Sequence, residues 1–375
     1  MTRYRDLGLT VGLLPPGPGN AITDVEGVRV GVTTLIEGEG PLEVGTGPIR
    51  TGVTAIVPHE GIRESPLHAG THTLNGNGEM TGLEWVRDSG VLTTPIAITN
   101  THSVGVVHDA LIAYELEQLH DRSPTFWSLP VVAETYDGGL NDINGFHVRP
   151  EHLVAAMDAA SDGAVPEGNV GGGTGMVCHE FKGGTGTASR VIEAGANRWT
   201  VGVLVQANHG GRDRLMVDGV HVGEEIPLAE LPSAWDQEGK IADEHGSIIV
   251  VVGTDAPLLP HQLRRLAQRS SLGIARVGGA GGNSSGDIML AFATANAGRI
   301  PNDQTPESAG PYTVETLPNE ATTPLYWATI EATEEAILNA LVAAETMVGR
   351  DGITAHELPH DRLVEIMTRY GRGPR

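Results

Sequence analysis

The step Gly246–Ser247 joins two residue types that can do chemistry on the chain itself. A glycine on the acyl side leaves its carbonyl sterically open, and the neighbouring serine hydroxyl can attack it. An N-to-O acyl shift followed by ester hydrolysis would cut the chain. Ser247 would then carry a hydroxyl and a free α-amine, whose pKa of roughly 7.7–8.0 makes it a usable base near neutrality. A Gly-Ser pair also suits a turn that opens a strand, so the pair alone leaves both readings open.

Three further groups are candidates to serve such a serine. In NSSGDIMLAF at 283–292, Ser285 and Asp287 share one face if the segment is a strand. A hydroxyl and a carboxylate so placed can form a relay that holds and polarises Ser247; they would equally cap a turn. Asn208 ends the run VGVLVQAN, where a side-chain amide could donate to a developing oxyanion. Glu134 and Tyr136 follow the apolar LPVVA. A carboxylate at the end of a buried strand is well placed to hold a ligand ammonium, though an exposed strand-end charge has the same look.

Two motifs fail on inspection. HELPH at 356–360 has the letters of a zinc-binding HExxH, but Pro359 interrupts the helical turn that both imidazoles need. Pro359 is expected to open the next helix instead. GNVGGGTGMVCHEFKGGTGT at 168–187 has glycine spacings of the nucleotide-loop kind, yet Lys182 precedes the glycines that it should follow in a P-loop. A non-enzymatic nucleotide-binding module is kept as an alternative; close approach of two layers is the plainer reading. Cys178, within this stretch, reads as a small buried apolar residue.

The elements that must position these groups alternate. Strands are expected at 28–36, 51–58, 94–100, 199–207, 247–254, 286–294 and 325–331. Helices are expected at 104–120, 151–160, 258–270 and 333–348, the last with Thr333 as N-cap and Glu334 and Glu335 complementing its dipole. The mixture indicates a layered α/β body. Residues 224–246, with seven acidic residues, read as a solvated loop. SIIVVVGT follows at once, an apolar β-branched run typical of a fully buried central strand. Ser247 therefore stands where an exposed loop meets the core.

Composition narrows the classes. A net charge of −23 argues against nucleic acid and anionic membrane as partners. No apolar stretch approaches the roughly 20 residues that span a bilayer, and the N-terminal segment does not read as a signal peptide; a cytoplasmic location is expected. The single cysteine permits neither an intrachain disulfide nor a cysteine cluster for zinc. Glycine, 51 of 375 residues, implies many tight turns and close backbone approaches.

Taken together, DVEGVRVGVTTL, TAIVPHEG, ITNTHSVG, VVAETYDGGLNDING, GNVGGGTGMVCHEFKGGTGTASR, VGVLVQANHG, GSIIVVVGTDAPLLPHQL, GNSSGDIMLAFAT and EATEEAILNAL resemble the DmpA family of self-processing serine aminopeptidases. They run in family order from residue 24 to 341. The resemblance implies a four-layer αββα sandwich like that of N-terminal-nucleophile hydrolases, as one domain split into 1–246 and 247–375. By position Ser247 matches the nucleophile that becomes a new N-terminus, and Ser285 and Asp287 the hydroxyl and carboxylate that orient it. Asn208 matches the oxyanion donor, with the Gly286 N–H as a second, while Glu134 matches the carboxylate that binds the substrate amine and Tyr136 lines the same site. Some members carry Glu where this chain has the shorter Asp287. The implied substrates are small peptides, amides or esters with a free amine. The implied assembly is a homotetramer of cleaved αβ units, without metal or organic cofactor. The ornithine acetyltransferases offer an acyl-transfer alternative; they use threonine at the cleaved junction, and Ser247 argues against it.

Overall fold

The run SIIVVVGT folds as one strand in which every residue is buried, as expected when β-branched side chains must be covered on both faces. It lies within a computed structural model that describes residues 1–119, 124–195, 197–237, 246–302 and 310–374. In chain order the elements are β1 (Arg29–Glu37), β2 (Ile49–Val57), β3 (Leu67–Gly76), α1 (Leu83–Ser89), β4 (Val91–Leu92) and β5 (Ile96–Asn100). Next come α2 (Val104–Gln118), β6 (Val131–Thr135), α3 (Pro150–Asp158), β7 (Val177–Cys178), β8 (Phe181–Lys182), β9 (Gly184–Ala194) and β10 (Asn197–Asn208). The last are α4 (Ala234–Gln237), β11 (Ser247–Thr254), α5 (Pro260–Val277), β12 (Gly286–Ala293), α6 (Thr323–Ala343), β13 (Met347–Val348), β14 (Thr354–Ala355) and α7 (His360–Arg369).

Two sheets face each other, one ordered β1-β2-β5-β6 and one ordered β4-β3-β12-β11-β10-β9. Alternation along each strand fills the layers. Ile249 and Val251 of β11 and Leu204 of β10 meet Ile56 and Ile98 of the other sheet. Their neighbours Ile248, Val250, Val203 and Val205 turn outward to Leu263, Leu266 and Ile274 of α5 and Ile337 and Leu341 of α6. On the opposite side Val53, Ala55, Ala97 and Val132 are covered by Val107 and Leu111 of α2 and Leu153 and Ala156 of α3. The result is the four-layer αββα sandwich. No helix among the described residues is long and apolar enough to cross a membrane.

Three readings of the sequence change. The stretch 325–331 is not a strand but the first half of α6, which begins at Thr323 and runs for 21 residues. Tyr326, Trp327, Thr329 and Ile330 give it strand-like composition, but burial along one continuous helix overrides that weak preference. Thr333 is therefore no N-cap; its hydroxyl donates to Thr329 O one turn back, at 2.7 Å. Glu334 and Glu335 lie mid-helix and pair with Arg276 at 2.9 Å and with Arg190 at 2.7 Å.

The acidic loop is the second change: Ala234 and Trp235 within it are buried, while 238–245 lie outside the described residues. Third, β3 and β9 escape the sequence pattern. In β9 glycines replace apolar side chains because the strand lies directly under α6: a Cβ on Gly186 would stand 2.0 Å from Ala336 O. The other glycine-rich turn, Gly171–Gly173, is wedged between the two sheets, with Gly172 against Gln206 on one side and Ile98 O on the other. Pro359 precedes α7 as its N-cap, so HELPH is not one helical turn.

Gly186→Ala should force β9 away from α6. A loss of about 1–3 kcal/mol is expected, measured as a lower urea midpoint at unchanged slope.

Candidate active site

Ser247 is the first residue of β11 and pairs in antiparallel register with Asn208, the last of β10. Counting back from Ile249 and Leu204, both side chains start on the side between the sheets. Asn208 Oδ1 accepts from Val177 N at 2.8 Å. A backbone N–H can only donate, so this contact fixes which end of the amide is which. Asn208 Nδ2 then donates to Tyr136 O at 3.0 Å, and the amide retains a second N–H.

The Ser247 hydroxyl is held by the backbone: Gly286 N donates to Ser247 Oγ at 3.1 Å. Ser285 Oγ donates to Asp287 Oδ1 at 2.6 Å, so the i, i+2 pair is formed. It makes no hydrogen bond to Ser247 Oγ among the described residues. Strand alternation is the reason: Asp287 sits opposite Ile248 and in phase with Met289, which faces the helices, whereas Ser247 faces the other sheet. The direct relay to the hydroxyl expected from the sequence is thus replaced by the peptide N–H between the two residues.

Gly246 has φ of 114°, and a Cβ there would lie 1.7 Å from Asn208 O. Both facts exclude any side chain on the acyl side of Ser247.

Glu134 is the next-to-last residue of β6, is 3% exposed, and accepts from Glu79 N at 2.8 Å and from Thr101 Oγ1. Burial raises its pKa above the ordinary carboxylate value, with the Thr101 and Glu79 contacts opposing that shift. No Lys or Arg is ion-paired with it among the described residues. A cavity of about 530 Å³ brings Ser247, Gly246, Asn208, Glu134 and Tyr136 together. Gly286 adjoins it through Gly78, whose Cα would lie 2.7 Å from a Cβ on Gly286. Ser285 and Asp287 stand behind that wall.

Thr101, Glu79 and Trp235 also line the cavity, and the sequence did not single them out. Thr101 lies in the family-like ITNTHSVG, and Trp235 is the sole aromatic residue of 224–246; those were the available signals. A larger cleft of about 830 Å³ beside α6 holds Glu331 and Glu334, but these are already paired with Arg190 and Arg276.

Residues 20–355 match the sequence profile of Peptidase family S58. The chain belongs to that family. It is 52% identical over 99% of its length, and 93% of the relative's, to β-peptidyl aminopeptidase BapA of Sphingosinicella microcystinivorans. Among solved structures, a Burkholderia sp. β-aminopeptidase superposes with a TM-score of 0.90 at 52% identity, covering 99% of each chain. An L-aminopeptidase D-Ala-esterase/amidase from Ochrobactrum anthropi, described as a variant of the Ntn-hydrolase fold, superposes at 0.87 with 46% identity over 99% of both. This S58 chain is a hydrolase of the aminopeptidase kind.

The buried carboxylate predicts a sign for stability in the S58 chain. Glu134 has a higher pKa folded than unfolded, so the native state binds more protons and stability falls as pH rises through the folded value. A glutamine can still accept from Glu79 N and donate to Thr101 Oγ1. Glu134→Gln should therefore gain in melting temperature relative to the parent as pH is taken from 4 to 8; a constant difference would mean the carboxylate is solvated.

Proposed function

We propose that this S58 aminopeptidase makes its own nucleophile by cutting Gly246–Ser247, and then releases N-terminal residues from peptides, amides or esters with a free amine. The reading is carried by one observation: Ser247, Asn208 and Glu134 open into the same cavity. In the self-cleavage, Ser247 Oγ attacks the Gly246 carbonyl and its proton passes to the departing nitrogen. Water then hydrolyses the ester and leaves a Gly246 carboxylate and a free Ser247 amine. Gly246 supports this step because it lacks the side chain that would shield the carbonyl.

In peptide cleavage the substrate ammonium sits on Glu134, whose charge has no Lys or Arg partner among the described residues. Ser247 Oγ attacks the scissile carbonyl while its own α-amine takes the proton. The second N–H of Asn208 donates to the tetrahedral oxyanion, a charge that exists only near the transition state, and the Gly286 N–H is the second donor in reach. The protonated amine leaves and water hydrolyses the acyl-enzyme. Ser285 and Asp287 act as positioning residues, holding the Gly286 peptide against Ser247. Tyr136 lines the path of the substrate. The cleaved αβ units are proposed to assemble as a homotetramer, on the family resemblance alone, and to work in the cytoplasm, on the reading of the sequence.

Intact-mass measurement tests the first half. Two chains of about 26 and about 13.5 kDa, in proportion to length within 39.3 kDa, are expected, and Ser247→Ala should stay single and inactive. An active preparation of one uncut polypeptide would sink the mechanism.

Asn208→Ala tests the second half. Its cleaved fraction should lose on the order of 10²–10³ in kcat with KM almost constant. A loss below about threefold, less than 1 kcal/mol of barrier, would remove Asn208 from the oxyanion site.

A further inference from the structure

One residue beyond Asn208, a second set of reactive side chains meets in the interior. Cys178, His179 and His209 each offer one ligand atom, all within 4.8 Å of one another, and all three residues are buried. Cys178 Sγ stands 3.8 Å from His209 Nδ1. Metal bonds of roughly 2.3 Å to sulfur and roughly 2.0–2.1 Å to nitrogen would set such atoms about 3.6–3.8 Å apart.

His179 Nδ1 lies 3.0 Å from Gly211 O. A carbonyl only accepts, so Nδ1 carries the proton and Nε2 the lone pair, the arrangement usual for a metal-ligating histidine. That Nε2 has no hydrogen-bond partner, although it is shut off from solvent.

The backbone is bent to make this meeting. His179 and Glu180 form the two-residue turn between β7 and β8, with φ of 47° and 62°. Such a turn ordinarily takes Asn-Gly, and non-glycine residues there are strained. His179 N donates to His209 O at 2.7 Å and Arg212 Nη2 to Glu180 O at 2.8 Å, which hold it. A Cβ on Gly210 would stand 2.3 Å from His179 Cε1, so only glycine leaves room for the ring. The two imidazoles then pack edge to face with centroids 5.2 Å apart.

We propose that Cys178, His179 and His209 form a three-coordinate site for Cu(I), a soft monovalent cation, bound by one thiolate and two neutral imidazoles. On binding, the Cys178 S–H bond breaks and an S–Cu bond forms; the proton leaves to the buffer and two imidazole lone pairs complete the shell. Thiolate and Cu(I) sum to zero charge, which suits an interior where an uncompensated charge is costly. Zn(II) on the same ligands would leave a net positive charge and an empty fourth position. Thiolate ligation also favours copper(I) over harder ions.

The test loads the purified full-length protein anaerobically with one equivalent of Cu(I) supplied as its acetonitrile complex. Loose metal is then stripped with excess bathocuproine disulfonate, and the remaining copper is counted by mass spectrometry. One copper per chain is expected, with X-ray absorption reporting one sulfur and two nitrogens. Cys178→Ser and His209→Ala should each retain less than a tenth of that copper. Wild type stripped to below a tenth of an equivalent, a first shell without sulfur, or full copper in Cys178→Ser would each overturn the site. Zn(II) retained against EDTA in place of copper would overturn the choice of ion. The stoichiometry and absorption measurements use wild type alone, so they decide even where a substitution unfolds the chain.

Discussion

The hydrogen-bond ladder across β10, β11 and β12 is the constraint on which the site depends. It sets Asn208 opposite Ser247 and lays the Gly286 N–H 3.1 Å from the Ser247 hydroxyl. None of these positions can shift singly, because a one-residue slip of β11 would turn Ile249 and Val251 out of the inter-sheet core. The apolar interior therefore fixes the polar geometry at the strand ends. The same ladder brings Asn208 O so close to Gly246 that no side chain fits there. Positioning of the hydroxyl and exposure of the neighbouring carbonyl thus follow from one register.

Glu134 illustrates a second constraint, that of charge. Several buried carboxylates are paired with arginine, Glu335 with Arg5 and Arg190 and Glu167 with Arg3, while Asp137 is held by the neutral amide of Asn141. Glu134 instead receives only a backbone N–H and a hydroxyl, which offset part of the cost of burial. A carboxylate left in this state is strongly inclined to accept a cation, and the cavity beside it is open to one.

Much of this was legible from residues alone, for identifiable reasons. SIIVVVGT is long, unbroken and β-branched, so its burial could be read directly, and with it the placing of Ser247 at a strand mouth. Ser285 and Asp287 could be assigned one face by period, but not the side of the sheet on which that face lies; that depends on pairing with β11. β9 was hidden because close contact with α6 demands glycine where a strand signal demands bulk. The start of α6 was misread because Tyr326, Trp327 and Ile330 favour strands until one sees that no turn residue follows them. Thr101 and Trp235 sit in irregular segments, where no periodicity reports which side chains a cavity will gather.

The order of strands in the larger sheet has a consequence for how the molecule is assembled in time. Residues up to 246 supply β4 and β3 at one side and β10 and β9 at the other, while β11 and β12 from the remainder lie between them. The sheet is interleaved, like two combs pushed together. A break at Gly246 made after folding leaves every ladder hydrogen bond in place. A break made before folding leaves the longer piece with two bare edges on strands β3 and β10, an invitation to aggregate. Any scission at that junction is compatible with this architecture only as a late event, and separately synthesised halves would have to find each other while each lacked the middle or the flanks of a common sheet.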